Sequence, residues 1–334
     1  MVSISRKIIN KNSLPFIIAE AGLNHNGKLD LAKKMIDSAK KAGADAIKFQ
    51  TFKASDFLTA DSPHFKIVQK LELSHTEFSE LFNYCKRRKI IFGSTPISFE
   101  AVDFLAKLPI PFFKIASGDL THIPLIKHIA SQNIPIILST GMGTISEIKN
   151  AINSILSQNN KKIIIMHSVS SYPTPETESN LKAILTLQNK FKFPVGYSDN
   201  GAGLLVPLTA ISLGAKIIEK HFTLDKKMKG FDHAFSADPK ELAELVKQSK
   251  KLPKILGNGN VGSQPSEFMG RIQFRRSITT NAVIPKGTKI SEDMVSFKRP
   301  ANGIEPKYFK KIIGKKTKQT ICADRPVKWS DLIK

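Results

Sequence analysis

Eight times in the first 255 residues, a short run rich in Val, Ile and Phe precedes a stretch whose apolar positions recur at helical spacing. The runs cover residues 16–22, 45–52, 90–96, 111–117, 135–141, 162–171, 193–199 and 215–223. In the first helical stretch, 29–42, Leu31, Met35, Ile36 and Ala39 share a face, and Gly43 follows as a stop. Strand–helix alternation implies parallel pairing, and eight such units close into a (β/α)8 TIM barrel whose chemistry sits at the C-terminal strand ends.

The pattern changes after the helix expected at 239–252. Residues 257–265 are rich in Gly, Asn and Ser, and from about residue 275 short β-like pieces alternate with turn signals. The expected organisation is a barrel at 1–256, a linker at 257–274 and a small β-rich domain at 275–334. Within that domain, strands are expected at 277–283, 288–290 and 295–298 and a short helix at 306–313. The stretch 53–75 is long for a strand-to-helix link and is expected to cross the barrel mouth, partly as helix around 65–73.

The 334 residues carry a formal charge of +23, with lysines spread over every predicted helix and no nucleic-acid motif beside them. A solvated lysine-rich surface therefore accounts for the charge, and no nucleic-acid partner is expected. No apolar run is long enough to span a bilayer, and residues 1–12 hold no signal core, so neither membrane insertion nor export is expected. Cys85 and Cys322 lie far apart in different predicted domains, which suits unpaired thiols in a reducing cytoplasm.

The strand ends carry the candidate chemistry. Lys48 and Gln50 stand two apart in one strand, and Glu219 and His221 do so in another, so each pair shares a face that can be the lumen. Two lysines, Lys48 and Lys114, with Thr95, Ser117, Ser139 and Ser198 around one rim would suit a phosphorylated anion; a structural ion pair with Glu20 is the plainer reading. His221, Glu219 and Asn200 at neighbouring strand ends make a divalent metal site conceivable, and Lys48 or Lys114 could instead form a Schiff base.

Several strings resemble the sialic acid synthase family, which includes N-acetylneuraminate, legionaminic acid and pseudaminic acid synthases. They include Ile18-Ala19-Glu20-Ala21-Gly22-Leu23-Asn24-His25-Asn26-Gly27, Lys48-Phe49-Gln50-Thr51, Lys114-Ile115-Ala116-Ser117-Gly118 and Ser139-Thr140-Gly141-Met142. Further matches are Tyr172-Pro173-Thr174-Pro175, Gly196-Tyr197-Ser198-Asp199, Ile218-Glu219-Lys220-His221-Phe222-Thr223 and Arg299-Pro300-Ala301-Asn302-Gly303-Ile304. The resemblance runs from about residue 16 to the C-terminus, whose last part is similar to the family's antifreeze-like (SAF) domain.

What the resemblance implies is condensation of phosphoenolpyruvate with an N-acetylated mannose-type sugar to a nine-carbon keto acid and phosphate. It assigns phosphoenolpyruvate to Lys48, Thr95, Lys114, Ser117, Ser139 and Ser198, and the sugar's neighbourhood to Glu20, Gln50, Tyr172 and Asp232. His221 matches a ligand of a divalent metal, usually manganese, with magnesium or cobalt as alternatives; Glu219 belongs to the same motif, and Glu20 or Glu219 would move the proton. Arg299 matches an arginine delivered by a partner subunit, which implies a domain-swapped homodimer. Two positions depart from the family pattern: Asn200 stands for a second histidine ligand and Ser170 for an asparagine near the sugar. These departures direct the expected sugar toward 2,4-diacetamido-2,4,6-trideoxymannose, with N-acetylmannosamine as the alternative. A Schiff-base pyruvate aldolase and a non-catalytic sugar binder are the more distant readings.

Overall fold

The computed structural model describes residues 1–333 and divides into two compact units, Met1–Gly257 and the chain from Asn258 on. The first opens with an antiparallel hairpin, β1 (Val2–Ile4) and β2 (Lys7–Ile9). Eight parallel strands then form a closed barrel: β3 (Phe16–Gly22), β4 (Ala46–Thr51), β5 (Ile91–Pro96), β6 (Phe113–Ile115), β7 (Ile136–Ser139), β8 (Ile163–Ser168), β9 (Val195–Asp199) and β10 (Ile217–His221). Every expected run holds one of them, and β10 pairs with β3 to close the ring.

Helices follow the strands: α1 (Leu29–Ala42), α2 (Phe65–Gln69), α3 (His75–Arg88), α4 (Phe99–Ala106), α5 (Ile123–Ser131), α6 (Ile145–Leu156), α7 (Ala183–Phe191), α8 (Leu205–Ser212) and α9 (Pro239–Leu256). Gly43 ends α1 in the left-handed region (φ 86), as its position suggested. Capping boxes start α3 at Ser74, α6 at Thr144 and α9 at Asp238, satisfying first-turn N–H groups that would otherwise lack partners. Helix α9 runs through Pro253 to Leu256, beyond the stop expected at 252; the proline costs one hydrogen bond without ending the helix.

Strand pleating sorts the core into two layers. Ile17, Ala19, Ile47, Phe49, Ile163, Ile165 and Ile218 face the helices and join their apolar stripes in one large cluster. Phe16, Ile18, Ala46, Ile137, Ile164, Met166 and Ile217, on the alternate face, fill the lower lumen together with Phe112. Val2, Ile4 and Ile9 of the hairpin join that second cluster and close the floor. Continuing upward at period two, the lumen face becomes polar: Glu20 above Ile18, Lys48 above Ala46, Ser139 above Ile137, and Glu219 and His221 above Ile217. A dry apolar floor thus lies beneath a polar mouth.

Two excursions rise beside that mouth. One holds α2, whose Val68 packs with Phe52 and Ala54 and against Leu23 and Leu58. Gly27 adopts φ +65, and a Cβ there would lie 2.2 Å from the Lys70 carbonyl, so this close approach requires glycine. The other spans residues 223–236 between β10 and α9.

The second unit contains α10 (Phe268–Phe274), within the stretch read as linker, then β11 (Ser277–Thr280), β12 (Val295–Lys298) and α11 (Phe309–Ile312). Strands β11 and β12 pair antiparallel, and Ile278, Ile290, Val295, Ile304, Ile312, Ile321, Val327 and Leu332 form its core. The strand expected at 288–290 is an isolated bridge, Lys289 to Lys316, because Pro285 to Gly287 turns the chain immediately before it. Among the described residues no helix is long and apolar enough to cross a membrane.

Candidate active site

A cavity of about 530 Å³ opens at the C-terminal strand ends. It is lined by Glu20, Lys48, Gln50, Thr95, Lys114, Ser117, Ser139, Tyr172, Ser198, Asn200, Glu219, His221 and Asp232. These residues come from eight strands or the loops that follow them, and closure of the barrel alone brings them together.

Four charges form its centre. Lys48 Nζ lies 2.8 Å from Glu20 Oε2 and 3.8 Å from Glu219 Oε2, and it donates to Thr95 Oγ1 at 2.9 Å. Lys114 Nζ lies 3.3 Å from Glu219 Oε1 and donates to Ser139 Oγ at 2.7 Å. Ser198 Oγ donates to Glu219 Oε1 at 2.9 Å, while Gln50 Nε2 donates to Glu20 Oε1 at 3.1 Å. All four charged side chains are at most 6% exposed. The plain ion-pair reading of Lys48 is therefore correct as far as it goes, since Glu20 is its nearest partner.

The electrostatics are unequal. Burial alone would raise the Glu219 carboxyl, but Lys114 and Lys48 outweigh it and hold the group well below the usual range, at about 2. Burial raises Glu20 despite Lys48. It also lowers Lys114, where the attraction of Glu219 is offset in part by repulsion from Lys48, whereas Lys48 is raised because two carboxylates overcome its desolvation. An ammonium has three donors, and Lys114 uses one at short range. Lys114 is thus the cation best able to accept an incoming anion.

A second polar group stands beside the first. His221 is pulled down to about 4 by burial, against the pull of Asp232 and Glu219, so its ring is neutral near pH 7. Its buried Nδ1 has no hydrogen-bond partner, and Asp232 Oδ2 lies 3.5 Å away. Tyr172 meets the same ring edge-on with centroids 5.8 Å apart. Asn200 turns its amide nitrogen to Val169 O at 2.8 Å, leaving its carbonyl oxygen as the atom with ligand chemistry.

Two expected residues lie elsewhere. Ser170 does not line the cavity; its hydroxyl is buried without a partner beside Gly141, where an added Cβ would lie 2.4 Å from it. Arg299 belongs to the second unit, its guanidinium 5.6 Å from the Phe274 ring centroid. Sequence reasoning missed the apolar wall of Leu23, Phe57, Leu58, Val68 and Phe231, with His64 edge-on to Phe231. Val68 lies in the short helix α2 and the others in irregular loops; the unusual length of 53–75 signalled Phe57, Leu58 and Val68, and nothing signalled Leu23 or Phe231.

Residues 35–261 match the NeuB family, and residues 275–333 match the SAF domain. An N,N'-diacetyllegionaminic acid synthase of Campylobacter jejuni is 42% identical, covering 90% of this chain and 94% of the relative. An uncharacterised protein of Methanocaldococcus jannaschii is 46% identical over 99% of this chain and 98% of its own. Among solved structures, the N-acetylneuraminic acid synthetase of Leptospira borgpetersenii, in complex with citrate, superposes with a TM-score of 0.77 at 39% identity. That likeness covers 80% of this chain and 94% of the other.

Glu219→Gln should expose the balance of the cluster, since it leaves two buried lysines with one carboxylate. Breaking a buried pair in this way costs roughly 3–5 kcal/mol, so the melting temperature should fall. Inorganic phosphate should recover more stability in the variant than in the parent, because an anion can replace the missing charge. Equal phosphate responses in calorimetry would mean that Glu219 does not compete with an anion for the lysines.

Proposed function

Because the chain belongs to the NeuB family of sialic-acid-type synthases, we propose that it condenses phosphoenolpyruvate with 2,4-diacetamido-2,4,6-trideoxymannose, giving a legionaminic-type nonulosonic acid and phosphate. The observation that carries this reading is the pair of buried lysines flanked by Thr95, Ser117, Ser139 and Ser198, a donor set matched to a phosphate and a carboxylate on one small molecule. The apolar residues that line the same cavity support a sugar bearing a methyl group in place of a C6 hydroxyl. The Campylobacter relative named for N,N'-diacetyllegionaminic acid supports the same choice. N-acetylmannosamine is the alternative sugar.

In this reading Lys48 and Lys114 hold the anion while the methylene carbon of phosphoenolpyruvate attacks the aldehyde carbon of the open-chain sugar. Positive charge then develops at the pyruvate carbon that carries the phosphate, beside Glu219, which stays ionised to stabilise it. Water adds at that carbon, and the tetrahedral intermediate releases phosphate by C–O cleavage. Burial favours the protonated form of Glu20, which suits it to deliver a proton to the new sugar oxygen. Gln50, Tyr172 and Asp232 orient the sugar along the rim.

The neutral ring of His221, its unpartnered Nδ1 and the nearby Asp232 carboxylate fit a divalent cation, manganese foremost and magnesium or cobalt as alternatives. Asn200 would add a harder, weaker oxygen ligand than imidazole. When bound, such a cation supplies Lewis-acid polarisation of the sugar aldehyde. Arg299 would reach the sugar's acetamido group from a partner subunit in a domain-swapped homodimer. A cytoplasmic setting completes the proposal.

The direct test is phosphate release from phosphoenolpyruvate with each sugar, before and after chelation. The 2,4-diacetamido sugar should be preferred, and activity should vanish with chelator and return with manganese. Release equal for both sugars sinks the substrate choice, and full activity after exhaustive chelation sinks the metal.

The two lysines should differ. Lys114→Ala is expected to weaken phosphoenolpyruvate binding by about 1.5–3 kcal/mol, ten- to a hundredfold, with Lys48→Ala at the lower end because Glu20 already engages it. Calorimetric affinities matching the parent for both variants would make the lysines structural.

Arg299→Ala mixed with Lys114→Ala should regain part of the activity, since a heterodimer would hold one site with both residues. No gain after verified subunit exchange would show that Arg299 does not act across subunits.

A further inference from the structure

Strand β10 interrupts the layering of the barrel at one position. Ile218 and Phe222 face the helices within the large apolar cluster, and Lys220, between them on the same face, is 0% exposed. Its partner Asp199 follows the apolar Val195 and Tyr197 on the helix-facing side of β9 and is 1% exposed. A buried ion pair in such a layer is seldom more stable than an apolar pair of the same volume, so stability alone does not account for it.

The pair converges on one point. Lys220 Nζ lies 2.6 Å from Asp199 Oδ2 and also donates to the Gly201 carbonyl, while Asp199 Oδ1 accepts the Gly201 N–H at 3.1 Å. Gly201 follows Asn200, whose carbonyl accepts the Thr174 N–H at 3.1 Å and whose amide donates to Val169 O. Asn200 thereby fastens the loop that carries Tyr172. On the lumen face of the same two strands, Glu219 and Ser198 are register partners joined by a hydrogen bond, one step from the Lys220–Asp199 register.

We infer that Lys220 and Asp199 are positioning residues: an outer clasp, built of charge and aimed at Gly201, that holds the β9 end, and through it Ser198, Glu219 and the Tyr172 loop, in working register. This rests on the reading of the barrel mouth as a synthase site. The pair touches no substrate, and its effect passes through the residues it holds.

Three variants separate positioning from plain stability. Lys220→Met leaves Asp199 buried and unpaired, so its melting temperature should drop sharply. The apolar double variant Asp199→Leu/Lys220→Met should regain most of that loss, yet turnover in phosphate release should stay about a hundredfold down, as small misplacements of reacting groups cause. Asp199→Asn/Lys220→Gln keeps a donor for Gly201 O and should recover roughly tenfold in turnover over the apolar double variant. An apolar double variant with parental turnover, or a polar one no better than the apolar one, overturns the positioning role. A parent that releases no phosphate from phosphoenolpyruvate with either sugar overturns instead the reading of the site on which it rests.

Discussion

The carboxylate of Glu219, held between two buried lysines, is the interaction on which the rest of the site depends. Charges this buried are tolerable only when paired, and pairing here needs β3, β4, β6 and β10 to end at one height around a common axis. A closed barrel supplies that condition and an open sheet does not. The hairpin contributes as well: Val2, Ile4 and Ile9 seal the lumen from below, so the cluster meets water only from the mouth. The low polarity beneath strengthens each Lys–Glu attraction, and Lys114 and Lys48 keep Glu219 ionised against the cost of its burial.

Above the cluster the mouth is divided by chemistry. Strand ends line it with hydroxyls and ammonium groups, while the loop after β3 and the two excursions line it with Leu23, Phe57, Leu58, Val68 and Phe231. His221, Asp232 and Tyr172 form a further polar group in the same cavity. A substrate pair with one small anion and one amphipathic sugar matches that division. The polar half depends on barrel closure, whereas the apolar half depends on loop packing such as the contact of Gly27 with Lys70.

Much of this was legible in the chain because it follows from strand period. Eight apolar runs gave eight barrel strands, and the two-residue spacing of Lys48 with Gln50 and of Glu219 with His221 put both pairs on the lumen face. The rest escaped for identifiable reasons. Strands β1 and β2 are three residues each, too short for alternation to stand out. Phe57 and Phe231 lie in irregular loops, where burial follows tertiary packing alone. Lys220 read as one letter of a motif; the period that puts Glu219 and His221 on the lumen puts it on the helix face, but its pairing with Asp199 comes from the neighbouring strand and leaves no linear signal. Ser170, expected beside the sugar, packs behind the rim against Gly141 because the β8 loop turns its hydroxyl away from the cavity.

The central claim is that the lysine–carboxylate cluster handles phosphoenolpyruvate by attack at its methylene carbon and departure of phosphate with C–O cleavage. Phosphoenolpyruvate labelled with heavy oxygen at the bridge between carbon and phosphorus tests this most directly, with the products weighed by mass spectrometry. The account predicts that the label leaves with inorganic phosphate. Label retained in the keto acid, or product formed from free pyruvate without phosphoenolpyruvate, would contradict it.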